Sequence, residues 1–311
     1  MAAEAEPFQR LALIGVGLIG SSIARAARRG GLAREIVGCA RSQATRDRAM
    51  ELGIVDAMHE DPAEAAAGAD LVIVCTHLGS YGAIGGAIAP ALRPGVIVSD
   101  VGSVKDCVFR DLGPHMPAGV HLIPGHPVSG TEKSGPDAGF AELFDNRWWI
   151  LTPGTDADAG ALARLTGFVE GLGSRVELME SRRHDLVLAI TSHLPHLIAY
   201  NIVGTADDLE TVTQGEVIKY SAGGFRDFTR IAASDPEFWR DVFLNNREAV
   251  LETLGRFTED LIALQRAIRW GQGDSLLNLF KHTRDIRQRI IDAGQETDAA
   301  DFGRRPSHDD D

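Results

Sequence analysis

The run Gly125-His126-Pro127-Val128-Ser129-Gly130 follows Ile123-Pro124, precedes Thr131-Glu132-Lys133-Ser134-Gly135, and holds one histidine between a glycine and a proline. A residue before proline is pushed out of the helical region towards extended backbone, and Gly125, Gly130 and Gly135 release the chain around it. The pattern predicts a defined loop that carries His126. An imidazole titrates near neutrality, so the chemistry open to this residue is that of a general base taking a proton from a reacting hydroxyl.

Two further segments hold side chains able to bind or react. Gly223-Gly224-Phe225-Arg226-Asp227-Phe228-Thr229-Arg230 follows Ala222 and makes an irregular, cationic corner. A guanidinium grips a carboxylate through two parallel hydrogen bonds. The chain carries a formal charge of -13, so an anionic substrate needs such a local cluster of cations. The alternative for Arg226 and Arg230 is an ion pair within the chain, with Asp227 or another nearby acid. In Ile190-Thr191-Ser192-His193-Leu194-Pro195-His196 two histidines lie three apart around a proline that should kink a helix. No third ligand accompanies them at a familiar spacing, so no metal site is expected. Each is either a site residue or a hydrogen-bonded residue between helices.

The elements that must position these groups begin with Leu11-Ala12-Leu13-Ile14, a short apolar run. Gly15-Val16-Gly17-Leu18-Ile19-Gly20 and an alanine-rich helical stretch follow. Strand, glycine turn and helix in this order predict a dinucleotide site; the alternative is a glycine-rich turn of an α/β fold that binds no nucleotide. Gly15 makes the turn, Gly17 lets the backbone approach a pyrophosphate, and Gly20 lets helix and strand pack closely. Further apolar runs at Ile36–Cys39, Leu71–Cys75, Val96–Ser99, His121–Ile123 and Trp148–Leu151 alternate with helix-length segments. They predict an α/β fold with a doubly wound parallel sheet, its ligands in the crevice beyond the strands' carboxyl ends. Thr76-His77, Asp100-Val101-Gly102-Ser103 and the His126 loop all fall at such ends. After the second strand comes Cys39-Ala40-Arg41-Ser42, with Ala40 where an NAD site usually offers an acid. Arg41 and Ser42 could hold a 2′-phosphate, so the chemistry favours NADP over NAD; the alternative is a solvated arginine beside Arg46 and Arg48.

From Ser181 onward the pattern turns helical, with stretches at 183–203, 235–269 and 272–291. Apolar residues such as Phe238, Val242, Leu251, Leu254, Phe257, Leu261 and Leu264 recur three and four apart. An all-helical domain follows, packed on itself or on a second subunit, and a homodimer is expected. Asp235-Pro236 supplies an N-cap and a first-turn proline to the helix that holds Trp239. The expected division is residues 1–178 for the nucleotide domain, 179–296 for the helical domain, and a disordered acidic tail at 297–311. The acidic balance argues against a nucleic-acid partner. No apolar stretch reads as a membrane span and no secretory signal opens the chain. Three scattered cysteines fit a reducing cytoplasm.

Together these segments resemble the prephenate/arogenate dehydrogenase family of tyrosine biosynthesis, also called cyclohexadienyl dehydrogenases. The resemblance spans nearly the whole chain. It rests on GVGLIGSS from Gly15, DVGSVK from Asp100, GHPVSGTEKSG from Gly125, SHLPH from Ser192 and GGFRDFTRIAASDPEFW from Gly223. It implies a Rossmann-like domain followed by a helical dimerisation domain, with oxidative decarboxylation of prephenate to 4-hydroxyphenylpyruvate, of arogenate to tyrosine, or of both. It further implies that His126 accepts the proton of the ring 4-hydroxyl while a hydride leaves the same carbon, and that Ser103 hydrogen-bonds near that hydroxyl. A helix cap is the alternative for Ser103. By the same resemblance Arg230 binds a substrate carboxylate, His196 lines the pocket, Glu132 helps to gate it, and Asp227 and Trp239 lie near the substrate side chain. Lys133 would add positive potential. The cofactor would meet Gly15, Gly17, Leu18, Ile19, Gly20, Arg41, Ser42 and Thr76. Family members that prefer NAD often carry Asp at the place of Ala40. A stand-alone dehydrogenase is expected, without a mutase or regulatory segment. Two rivals remain: a β-hydroxyacid dehydrogenase, which would use a lysine base on a helix of its second domain, and a dimer that senses NAD(P) without catalysis.

Overall fold

The computed structural model describes residues 6–131, 133–213, 221 and 223–292. Residues up to Val250 and residues from Leu251 onward form two separate compact units. The first opens with β1 (Phe8–Ile14), α1 (Leu18–Gly30), β2 (Ala33–Cys39), α2 (Gln43–Glu51), β3 (Ala57–His59), α3 (Pro62–Ala66) and β4 (Leu71–Val74). It continues through α4 (Tyr81–Ile88), β5 (Ile97–Asp100), α5 (Asp106–Asp111) and β6 (His121–Leu122). These strands form a six-stranded sheet of order β3-β2-β1-β4-β5-β6, every pair parallel.

The alternation of side chains along β1 explains why the sheet is covered on both faces. Leu11 and Leu13 join Ile23, Ala24 and Ala27 of α1 in one buried cluster, whereas Ala12 and Ile14 join Ala65, Ala66 and Ile88 on the other face. The wall continues with β7 (Gly125–Pro127), β8 (Trp148–Leu151), α6 (Ala159–Gly171) and β9 (Arg175–Leu178). These strands do not extend the first sheet. They build a second one of order β7-β8-β9, with β7 antiparallel to β8 and His126 opposite Ile150.

Trp148–Leu151 therefore departs from the parallel beat expected of it. Pro124 supplies the cause. Ile123 still donates its amide to Val98, but Pro124 has no N–H to continue that ladder, and its carbonyl accepts the Thr152 amide instead. The chain changes sheets at this proline, and His126 sits on a short extended strand where a loop was expected.

The helical part begins with α7 (Ser181–Leu188), a π-turn at Ala189–His193, and α8 (Leu194–Thr213). Pro195 lies just past the π-turn, in the first turn of α8. By length and composition Ser181–Leu209 reaches what a membrane crossing needs, which corrects the expectation that no stretch does so. This same stretch carries His184, Asp185 and His193, all buried. Next come α9 (Gly223–Thr229) and α10 (Pro236–Asn245), the latter capped by Asp235 at the Phe238 amide with Pro236 in its first turn, as the Asp-Pro pair predicts. A single non-helical residue, Asn246, precedes α11 (Arg247–Arg269). The second unit holds most of α11 and then α12 (Gly273–Ile290), and it exposes Leu261, Ile262, Ile268, Leu277 and Phe280.

Candidate active site

The glycine turn has the shape a pyrophosphate needs. Gly15 has φ +108°, and a Cβ there would stand 2.6 Å from the Cys75 carbonyl oxygen; on Gly20 it would stand 2.1 Å from the Gly15 oxygen. Around Gly17 nothing lies within 4 Å of the added atom, so the backbone is open on that side. The first turn of α1 has neither a capping side chain nor an acidic residue, which leaves its amides to attract an anion. Leu18 and Ile19 begin that helix, and at the end of β4 the Thr76 hydroxyl accepts a hydrogen bond from Ser80 at 2.8 Å. After β2 Arg41 is exposed, while Ser42 caps α2 by accepting from the Thr45 amide. Arg46 is used structurally: it donates to the carbonyls of Ala40 and Arg41 and pairs with Glu60 at 3.0 Å.

Beyond β5 lies a buried ion pair that the sequence did not announce. Asp100 and Lys105 are both wholly buried, with Lys105 Nζ 2.5 Å from Asp100 Oδ2. The same Oδ2 accepts from the Tyr81 hydroxyl at 2.9 Å and the Gly102 amide at 2.8 Å. Burial, and then the Asp100 charge, push the Tyr81 phenol well above its usual value. Gly125 is held from both sides: its amide donates to Asp100 Oδ1 at 3.1 Å and its carbonyl accepts from Lys105 Nζ at 2.6 Å. The residue before His126 is therefore fixed by a desolvated charge pair.

His126 is 7% exposed, and its Nδ1 lies 2.9 Å from His184 Nε2. His184 Nδ1 in turn lies 2.8 Å from Asp185 Oδ1. Asp185 also accepts the amides of Lys105 at 2.7 Å and Asp106 at 3.0 Å. That capping of α5 is the role open to Ser103 as an alternative; Asp185, 80 residues further along the chain, takes it. Asn246 donates to the Asp185 carbonyl and meets His193 Nδ1 at 3.0 Å.

The other expected site residues fall into two groups. His196 stacks on Trp239 with ring centroids 3.6 Å apart, and its Nδ1 donates to the Ser192 carbonyl. Trp239 itself is buried between His193, Phe238 and Phe243. Burial lowers the His196 imidazole, and the Arg230 charge lowers it further, which puts Arg230 within electrostatic reach of that stack. Asp227 and Arg226 are exposed and paired with each other at 3.2 Å, the intrachain alternative for Arg226. Lys133 is exposed, and Glu132 lies outside the described residues.

The two halves of the chain match models of the prephenate dehydrogenase nucleotide-binding domain, over residues 23–178, and of the prephenate dehydrogenase dimerization domain, over residues 180–282. The chain belongs to the prephenate dehydrogenase family. A cyclohexadienyl dehydrogenase from Zymomonas mobilis is 43% identical over 90% of this chain and 95% of its own length. Prephenate dehydrogenase from A. aeolicus, solved with hydroxyphenyl propionate and NAD+, superposes with a TM-score of 0.84 at 31% identity, over 92% of this chain and 99% of its own. Synechocystis arogenate dehydrogenase gives 0.76 at 29% identity, over 91% and 100%. As a member of this family the protein is an NAD(P)-dependent dehydrogenase of tyrosine biosynthesis, acting by oxidative decarboxylation, with the Rossmann-like and helical parts expected.

Within this family fold the buried imidazoles carry a measurable cost. Burial holds His126 well below the ordinary value of 6.5, helped by His184 and Lys105; burial also lowers His184, against the Asp185 hydrogen bond, and brings His193 down to about 4. A histidine kept neutral in the fold binds its proton more readily when unfolded, so its stabilisation is complete above about pH 6.5 and is lost as pH falls towards the folded value. His193 alone contributes on the order of 3 kcal/mol across that window. The urea midpoint should be flat from pH 8 to 6.5 and fall steadily to pH 4.5. A midpoint that holds or rises on acidification would show that these rings are not buried neutral.

Proposed function

We propose that the protein oxidatively decarboxylates prephenate, arogenate or both, with His126 as the base that takes the ring 4-hydroxyl proton. The observation that carries this reading is the His126 ring itself: buried, held neutral, and engaged through Nδ1, which leaves Nε2 as the basic nitrogen. When bound along the Gly15–Gly20 turn, a nicotinamide dinucleotide would supply the hydride acceptor. The work of the chain is then to strip the proton from the hydroxyl as the carbon–hydrogen and carboxylate bonds break and the ring becomes aromatic. Ser103, at the carboxyl end of β5, hydrogen-bonds that hydroxyl and orients it.

Arg230 binds a substrate carboxylate beside the His196–Trp239 stack, with Asp227 near the side chain and Glu132 at the gate. Gly15, Gly17, Leu18, Ile19, Gly20 and Thr76 hold the dinucleotide, and Arg41 with Ser42 favours NADP over NAD because Ala40 offers no acid to the ribose hydroxyls. The apolar residues left exposed on α11 and α12 suit a homodimer, and the three free cysteines suit the cytoplasm.

Initial rates for prephenate and arogenate, each with NAD+ and NADP+, test the proposal. Reduced nicotinamide and carbon dioxide should form one for one with at least one substrate, faster with NADP+. Silence in all four mixtures would favour a non-catalytic sensor. Arg230→Ala should raise the KM for the carboxylate substrate roughly 10- to 100-fold, the worth of a charged hydrogen bond, with cofactor KM unchanged; an unaltered substrate KM would remove Arg230 from the site.

A further inference from the structure

We infer that His184 and Asp185 are positioning residues that fix the tautomer of His126, in a relay running from the Asp185 carboxylate through the His184 ring to the base. The inference rests on the proposal that His126 is that base. Its starting point is Asp185, 5% exposed, whose two oxygens already accept the amides that open α5. A carboxylate only accepts, so the hydrogen between Asp185 Oδ1 and His184 Nδ1, 2.8 Å apart, belongs to the ring. A neutral imidazole carries one hydrogen. His184 Nε2 is therefore a bare acceptor, and the hydrogen across its 2.9 Å contact with His126 belongs to His126 Nδ1. That leaves Nε2 of His126 unprotonated and basic.

The opposite tautomer of His126 would set two lone pairs face to face at 2.9 Å in a buried site. Burial keeps both rings neutral, so the chain of assignments holds at neutral pH. Adjacent residues on a helix normally point apart, yet His184 Nδ1 and Asp185 Oδ1 are in contact. Asn246 anchors the Asp185 backbone carbonyl at 2.8 Å and so steadies the pair. When the substrate O–H bond breaks and the proton moves to His126 Nε2, the imidazolium that forms already donates from Nδ1 to His184, and the positive charge leans on Asp185. Asp185 thereby ties the base to the segment that bears Ser103, because it also caps the helix that follows.

The full-length protein with 15N-labelled histidine tests the relay directly. In the wild type, His126 should carry its hydrogen on Nδ1 at neutral pH; finding it on Nε2 overturns the inference. His184→Leu removes the acceptor and should shift His126 towards the other tautomer. It should also lower kcat on the order of 10²-fold, with the KM for substrate and cofactor within about twofold. His184→Gln keeps an oxygen to accept from His126 and an amide to donate to Asp185, so it should hold the wild-type tautomer and recover most of kcat. If His184→Leu fails to fold, the wild-type and His184→Gln spectra still decide. Turnover lost in His126→Asn but kept in His184→Leu overturns the relay and leaves the base in place. Turnover kept in His126→Asn overturns the reading beneath it.

Discussion

Lys105→Met should destabilise the protein by about 3–5 kcal/mol, the usual consequence of leaving one member of a buried ion pair without its partner. Lys105 and Asp100 are both fully buried, and the ammonium satisfies two acceptors, Asp100 Oδ2 and the Gly125 carbonyl. Methionine fills nearly the same volume, so the loss isolates charge from packing. It leaves a carboxylate facing only the dipoles of Tyr81, Gly102 and Gly125, and it leaves the Gly125 carbonyl bare. Such a loss is a large fraction of the roughly 5–15 kcal/mol that a folded protein has in hand, so urea titration of freshly purified protein at low temperature is the suitable measurement. Asp100→Asn added to Lys105→Met should recover part of the loss by removing the stranded charge. A change below about 1 kcal/mol for Lys105→Met would show that the pair is not desolvated as the structure has it. Because Gly125 is held on both sides by this pair, the surviving folded fraction should also turn over more slowly, through misplacement of His126.

The readable parts of this molecule were those whose physical cause lies close along the chain. The glycine turn at Gly15–Gly20 declares itself because turn, strand and helix are consecutive, and the cap at Asp235 because its target amide is three residues away. His126 was legible for the same reason: its glycine and proline neighbours dictate extended backbone locally. What they could not show is that Pro124 ends one ladder and sends His126 into a second sheet against Ile150, since the partner strand lies more than twenty residues on.

The parts of the site that stayed hidden depend on long-range convergence. Lys105 within DVGSVK reads as a solvent residue by every prior for lysine, and only the fold reveals Asp100 and Gly125 around it. His184 and Asp185 stand outside the familiar SHLPH run. Their adjacency was a visible signal, but the capping of α5 by Asp185 bridges 80 residues and displaces the local reading of Ser103 as a cap. At Arg226 the local pairing with Asp227 did occur, so sequence proximity was informative where the side chains are exposed and uncommitted.

The largest catalytic effect belongs to His126→Asn. Asparagine is close in shape to half an imidazole, and its amide can donate to His184 Nε2 across the contact that His126 Nδ1 now makes, so the β7 strand and the buried contact with His184 should keep their arrangement. What disappears is the basic nitrogen. A general base in position contributes typically 10²- to 10⁴-fold, whereas the dinucleotide turn at Gly15–Gly20 belongs to other elements, and the melting temperature and cofactor affinity should stay near wild type. The decisive measurement is single-turnover hydride transfer by His126→Asn, with substrate and cofactor both saturating, followed as the appearance of reduced nicotinamide. A rate 10²- to 10⁴-fold below wild type, with cofactor Kd unchanged, is the predicted result; a rate within about threefold of wild type would contradict the assignment of His126 as the base.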